Sequence, residues 1–123
     1  MGRVETREEL FKRVFSYCLT GESEIIEEEN ERIEKDYLDR AYKYIVENYD
    51  ELVNEISLVT KGYQINRVYK VDLALLVVAL YEIKNEKDIP VAVSINEALN
   101  LAKKYSTEKS AGFINGVLAN FAK

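Results

Sequence analysis

The side chains that could carry out chemistry in this sequence are few, and they exclude most classes of enzyme. The 123 residues include no histidine and a single cysteine, Cys18. Without histidine, Ser-His and Cys-His catalysis and the usual transition-metal sites are excluded. One thiol can form neither an internal disulfide nor a cysteine-based zinc site. We therefore expect a protein that is not an enzyme and needs no cofactor or metal.

The charged side chains are distributed unevenly along the chain. The formal net charge is −5, and residues 20–60 account for all of the excess, with four basic and thirteen acidic side chains. Residues 1–19 sum to +1 and residues 99–123 sum to +3. A fold that brings the two ends together would create a modest positive face on an acidic body, which suits a nucleic acid. Ordinary solvated surface is the alternative explanation.

Length and composition predict one globular domain over residues 1–123. Apolar residues make up 47% of the chain and charged residues 32%, a balance typical of soluble proteins. The longest apolar run, Leu73 to Tyr81, is half of the roughly 18 residues that a membrane span needs. The charged start of the chain has no apolar core of a signal peptide. We expect a cytoplasmic location.

Apolar residues recur at helical spacing through most of the chain, and no segment is a convincing strand. The segment Leu73 to Leu80 is apolar on every face, which predicts a central buried helix. Two pairs of residues have the spacing of a capping box, Thr6 with Glu9 and Ser94 with Glu97. The pattern predicts an all-α bundle of about seven helical segments, over 7–19, around 25–26, over 38–49, from 50 to near 62, over 71–84, from 94, and over 112–121.

The last predicted helix contains two glycines, Gly112 and Gly116, spaced four residues apart. Glycine inside a helix costs about 1 kcal/mol relative to alanine. We therefore expect another helix or a ligand to lie close to that backbone.

Four short blocks follow one another in the C-terminal half, after an apolar helix that begins at Val71-Asp72. They are Asp88-Ile89-Pro90, Ile95-Asn96-Glu97-Ala98, Leu101-Ala102-Lys103-Lys104-Tyr105 and Phe113-Ile114-Asn115-Gly116-Val117-Leu118. In this order and spacing the blocks resemble the NusB family of bacterial transcription antitermination proteins. The match covers roughly residues 65–121, and the first half fits through helix pattern and length.

The resemblance implies a fold and a role. The fold is a compact helical bundle of two packed three-helix groups with a short additional helix. The role is to bind the boxA element of ribosomal RNA transcripts together with NusE, a small-subunit ribosomal protein. This complex acts on the transcription elongation complex.

The resemblance also implies an RNA surface built from the N-terminus, the first helix and the start of the last helix. Basic side chains there would neutralise phosphates, aromatic rings would stack on unpaired bases, and an amide would read a base edge. One acidic side chain matches a position on the face for the ribosomal protein. The implied residues are Arg3, Arg7 and Lys109 for phosphate, Phe15, Tyr105 and Phe113 for stacking, Asn115 for the base edge, and Asp72 for the protein partner.

Most of these residues also have a purely structural explanation. Phe15 and Phe113 lie on apolar stripes, where core packing is the alternative to stacking. Asp72 suits the positive end of a helix dipole, and the basic residues suit an ordinary solvated surface. Arg3 and Arg7 are a thinned version of the dense arginine cluster in the family. A protein-interaction scaffold without RNA binding, or a homodimer that hides the RNA surface, are the alternative functions.

Overall fold

The computed structural model describes residues 2–23, 27–60 and 64–122 of the chain. Within these ranges it contains α-helices and short 3₁₀ turns but no strand, so the predicted all-α class is confirmed. The six α-helices found there are α1 (Arg3–Thr20), α2 (Lys35–Glu47), α3 (Tyr49–Val59), α4 (Lys70–Asn85), α5 (Val91–Tyr105) and α6 (Glu108–Leu118), and the 3₁₀ turns are Ile65–Arg67 and Ala119–Phe121.

Helix α4 is the centre of the bundle, as its uninterrupted apolar sequence predicts. Every residue from Asp72 to Glu82 is buried, because α4 packs against each of the five other α-helices. Helices α5 and α6 complete one three-helix group with α4, and α1, α2 and α3 form the other group. Fully burying a leucine of α4 contributes roughly 1.5–3 kcal/mol, so this one helix anchors the shared core.

The first helix begins earlier than its predicted capping box. Helix α1 starts at Arg3, so Thr6 lies inside the helix and does not cap it. The Thr6 hydroxyl donates to the Gly2 carbonyl at 2.6 Å and accepts from the backbone N–H of Glu34 at 2.7 Å. The capping-box prediction at Thr6 is therefore wrong, because this hydroxyl joins α1 to the segment that precedes α2.

The predicted cap of α5 is wrong for a similar reason. Helix α5 begins at Val91, directly after Pro90, which places Ser94 within its first turn. The Ser94 hydroxyl donates to Glu82 of α4 at 2.9 Å instead of capping its own helix. The side-chain cap that the structure does contain is Thr107, whose hydroxyl accepts from the Ser110 N–H at the start of α6.

The short helix predicted around Ile25 and Ile26 lies outside the described residues. Its predicted continuation, Glu27 to Glu31, contains no helix. Residues 27–34, named here the acidic connector, form an irregular segment between α1 and α2. This accounts for six observed α-helices against about seven predicted. In the parts of the chain that the structure describes, no helix is long and apolar enough to cross a membrane.

Candidate nucleic-acid and partner interface

Three aromatic rings connect α1 with the C-terminal end of α5. The buried ring of Phe11 stacks against Phe15, with a centroid distance of 6.2 Å and an interplanar angle of 27°. The same ring contacts Tyr105 at 5.3 Å in a tilted arrangement. Phe15 is half-buried and Tyr105 is exposed. Two of the predicted stacking residues, 90 positions apart in sequence, are thus held against one buried ring.

The hydroxyl of Tyr105 is engaged by a carboxylate of α1. It donates a hydrogen bond to Glu8, and the Lys104 ammonium contacts the same carboxylate at 2.7 Å. Hydrogen bonds from Lys104 and Tyr105 hold the pKa of Glu8 below its ordinary value. Because Glu8 stays ionised at neutral pH, it fixes the edge of the Tyr105 ring while leaving part of the ring accessible.

Basic side chains lie on the two helices that carry these rings and at the start of α6, and the Lys104 ammonium lies 5.3 Å from the centroid of the Tyr105 ring. Lys103 and Lys104 lie in the last turn of α5, and Lys109 is exposed in the first turn of α6. Lys12 of α1 is exposed as well, and the sequence motifs did not single it out. Among the described residues, neither Lys12 nor Lys109 has a carboxylate within ion-pair distance. Both can therefore offer a full positive charge to an anion.

Arg3 and Arg7, the two predicted N-terminal phosphate contacts, differ in accessibility. Arg3 is half-buried and forms a bidentate ion pair with Glu34. Its Nε donates to Glu34 Oε2 at 3.0 Å, and its Nη2 donates to Oε1 at 2.9 Å. Arg7 is only 4% exposed, and its Nε donates to the buried Glu82 at 2.9 Å. The prediction of Arg7 as a phosphate contact does not fit this position. Its side chain closes a buried network instead.

A groove of about 970 Å³ runs along α6 between the end of α3 and the segment before α4. Phe113 and Lys109 of α6 line one wall, and Arg67 and Tyr69 line another. Tyr69 is 68% exposed. Sequence reasoning missed Arg67 and Tyr69, although alternating basic and aromatic residues in Arg67-Val68-Tyr69-Lys70 are a signal for nucleic-acid binding. Phe113 and Lys109 are thus brought together at one concave surface.

The two glycines of α6 also line this groove. A Cβ atom added at Gly112 or at Gly116 would meet nothing within 4 Å. No other helix among the described residues lies against their backbone, so that part of the expectation is wrong, while the approach of a ligand stays a prediction. Because glycine has no side chain, the groove stays open at these two positions of α6.

The remaining two predicted residues lie apart from the groove lining. Asn115 is exposed on α6 but does not line the groove, and Asp72 is buried in the first turn of α4. Asp72 therefore suits the positive end of the helix dipole. One of its carboxylate oxygens, Oδ1, has no hydrogen-bond partner among the described residues. Its contact with a protein partner stays a prediction.

The described residues contain no group of three or more histidine, cysteine, aspartate or glutamate side chains that could hold a metal ion. Cys18 is half-buried, and its sulfur accepts a hydrogen bond from the Tyr49 hydroxyl at 3.1 Å. Burial raises the pKa of the Cys18 thiol. The thiol is thus held in its neutral, weakly nucleophilic form.

Comparison with known proteins identifies the family. The sequence model described as the NusB family matches residues 3–123. The chain belongs to the NusB family. The transcription antitermination protein NusB of Agathobacter rectalis is 43% identical over 131 residues, which cover 99% of this chain and 100% of that protein. The same-named protein of Clostridium botulinum (strain Kyoto) is 43% identical over 139 residues, which cover 96% of this chain and 97% of that protein.

The fold agrees with that of a solved NusB structure. T. maritima NusB superposes with a TM-score of 0.86 at 32% sequence identity, covering 98% of this chain and 89% of that chain. The NusB family acts in transcription antitermination, so its partners in general are RNA and the transcription machinery. The resemblance inferred from the C-terminal blocks is confirmed, and it extends to the first half of the chain.

Proposed function

We propose that this chain binds single-stranded boxA-type RNA of ribosomal RNA transcripts and presents it, together with the ribosomal protein NusE, to the transcription elongation complex in the cytoplasm. The observation that carries the proposal is the meeting of Phe15 and Tyr105 on the ring of Phe11. Accessible rings beside flexible cations are what unpaired RNA needs, since bases stack on the rings and phosphates pair with the cations.

The groove along α6 supports the proposed binding of NusE. It joins exposed aromatic surface at Tyr69 with cations at Arg67 and Lys109. A groove of this kind suits a protein segment that carries both apolar and acidic side chains. We propose that NusE occupies it and that RNA crosses the neighbouring start of α6. The two partners then lie side by side and can contact each other, so each should strengthen the binding of the other.

One observation favours a second candidate, a protein-interaction scaffold that does not bind RNA. The three arginines of α1 (Arg3, Arg7 and Arg13) each have a carboxylate within 4 Å. Arginines that are already neutralised contribute little attraction for phosphate. On this alternative, NusE would bind in the groove, and RNA would not bind at all.

Replacing Tyr105 with alanine distinguishes the two candidates. We expect the affinity for a labelled boxA-type RNA to fall by about tenfold, within the 1–3 kcal/mol that stacking of one base contributes. Fluorescence anisotropy titrations of wild type and variant measure the change. Tyr105→Phe is the matched control, because it keeps the ring and removes only the hydrogen bond to Glu8, and its affinity should stay within about twofold.

An equal affinity of Tyr105→Ala and wild type for this RNA would count against stacking at Tyr105. An equal affinity of the wild type for boxA-type and scrambled RNA would count against recognition of boxA, because stacking by itself tolerates any base. Because Tyr105 packs on Phe11, a thermal melt of each variant must accompany the titrations.

A further inference from the structure

The acidic connector is docked on the N-terminal turn of α1 by contacts of several kinds. The Glu34 carboxylate receives both hydrogen bonds of the Arg3 guanidinium, and the Glu34 backbone N–H donates to the Thr6 hydroxyl. At Gly2, an added Cβ would lie 1.4 Å from the carbonyl oxygen of Arg32. The backbone of the connector thus lies directly on the backbone of Gly2, and only glycine fits at that point.

A second ion pair fixes the other part of the connector. Glu28 accepts from Nη2 of Arg13 at 3.2 Å, and Arg13 also donates to Glu9 at 3.0 Å. The Arg13 side chain is almost fully buried by these contacts. This ion pair is therefore part of the attachment and is poorly accessible to an outside anion.

The pair of Arg3 with Glu34 differs because both side chains remain accessible. Arg3 is 30% exposed and Glu34 is 32% exposed. The Arg3 guanidinium lies 4.0 Å from the centroid of the Tyr37 ring, which holds its planar fork in one orientation. The same fork can donate two hydrogen bonds to a carboxylate or to a phosphate. The hydrogen bonds from Arg3 also lower the pKa of Glu34, so the carboxylate is charged at neutral pH.

We propose that the acidic connector is an intramolecular competitor of RNA phosphate, in which Glu34 occupies the guanidinium of Arg3 until a phosphate displaces it. This inference rests on the proposed RNA-binding function and adds a regulation of the same surface. The chain then binds RNA more weakly than its cations alone would allow. Arg3 can bind an RNA phosphate only after the Glu34 carboxylate has been released.

Replacing Glu34 with glutamine tests the competition. We expect Glu34→Gln to bind a labelled single-stranded boxA-type RNA about threefold more tightly than wild type at low salt. The plot of log affinity against log salt should steepen by about 0.7, the value for one additional phosphate contact on a single strand. The matched control is Glu55→Gln, which breaks the pair between Glu55 and Lys84 at 31% and 32% exposure and should leave both quantities unchanged.

A double-mutant cycle separates competition from a general charge effect. Arg3→Gln should weaken RNA binding in the Glu34→Gln background but have little effect in the wild type, where Glu34 already neutralises Arg3. Additive effects of the two substitutions would overturn the proposal. If Glu34→Gln lowers the melting temperature, Glu28→Gln provides a second route, because it detaches the connector at Arg13 and should also raise the affinity.

The possible failures can be told apart. Wild-type binding to RNA with no gain in Glu34→Gln overturns the competition and leaves the proposed function standing. Binding by Glu34→Gln but not by the wild type supports the competition and contradicts RNA binding by the wild-type chain on its own. The absence of RNA binding in wild type and in Glu34→Gln overturns both together.

Discussion

Replacing Glu82 with alanine should cost about 3–5 kcal/mol of the free energy of unfolding, the range measured when one partner of a buried ion pair is removed. Glu82 is fully buried in α4 and accepts hydrogen bonds from three other helices. The donors are Arg7 of α1 at 2.9 Å, Ser94 of α5 at 2.9 Å and the hydroxyl of Tyr37 of α2. Without the carboxylate, the one acidic partner left to the buried Arg7 among the described residues is Glu97, at 3.9 Å.

Urea denaturation of wild type and Glu82→Ala measures this loss. Small domains are stable by only about 5–15 kcal/mol, so the variant should lose a large share of its stability. Glu97→Ala is the control, since Glu97 is partly exposed and at the limit of ion-pair distance, and it should cost less than about 1 kcal/mol. A loss below about 1 kcal/mol in Glu82→Ala would contradict the assigned network.

A double variant tests whether the charge of Arg7 causes the loss. Arg7→Met combined with Glu82→Leu removes both charges and keeps apolar volume. It should recover a large part of the stability, because apolar replacements of a buried ion pair are often neutral or stabilising. Full recovery is not expected, since the hydroxyls of Tyr37 and Ser94 lose their acceptor.

Replacing Gly112 with tryptophan should reduce binding of NusE by about a hundredfold, equivalent to about 2.7 kcal/mol. The Cβ position of Gly112 meets nothing within 4 Å, so the bulky ring can be accommodated by the fold. It would, however, project into the groove lined by Tyr69 and Phe113. The effect is therefore expected on the partner and not on the stability of the chain.

Isothermal titration calorimetry with purified NusE measures this effect. Gly112→Ala is the matched control, because a single methyl group leaves the groove open and should bind NusE as the wild type does. Alanine should also raise the free energy of unfolding by about 0.5–1 kcal/mol through its higher helix propensity. Unchanged NusE binding by Gly112→Trp, in a variant that melts like the wild type, would exclude the groove as the partner site.

The architecture could be predicted from the sequence wherever apolar residues either recur at helical spacing or fill every face of a helix. The apolar segment Leu73 to Leu80 predicts the central helix because no other position in a bundle buries every face. The helix starts were less predictable. Thr6 and Ser94 each have a partner three residues later that suggests a capping box, but each hydroxyl bonds to a different element of the fold. Local spacing carries no information about such long-range partners.

The candidate site was predictable only in part, and for the same reason. The aromatic positions Phe15 and Tyr105 follow from the family resemblance, and the structure brings them to one ring. Arg7 looked like a surface cation because its partner Glu82 is 75 residues away in sequence. Tyr69 and Arg67 lie between regular elements, where periodicity gives no signal. The ion pair between Arg3 and Glu34 is likewise visible only in the structure, where the acidic connector lies against α1.

The central claim, that RNA and NusE bind this chain cooperatively, is tested most directly by one titration series. The affinity for boxA-type RNA is measured with and without saturating NusE, at low and at moderate salt, with scrambled RNA as the control. We predict weak, salt-sensitive binding to the chain alone and at least fivefold tighter, sequence-dependent binding with NusE, at the lower end of typical coupling between sites. Equal affinity for boxA-type RNA with and without NusE would contradict this account.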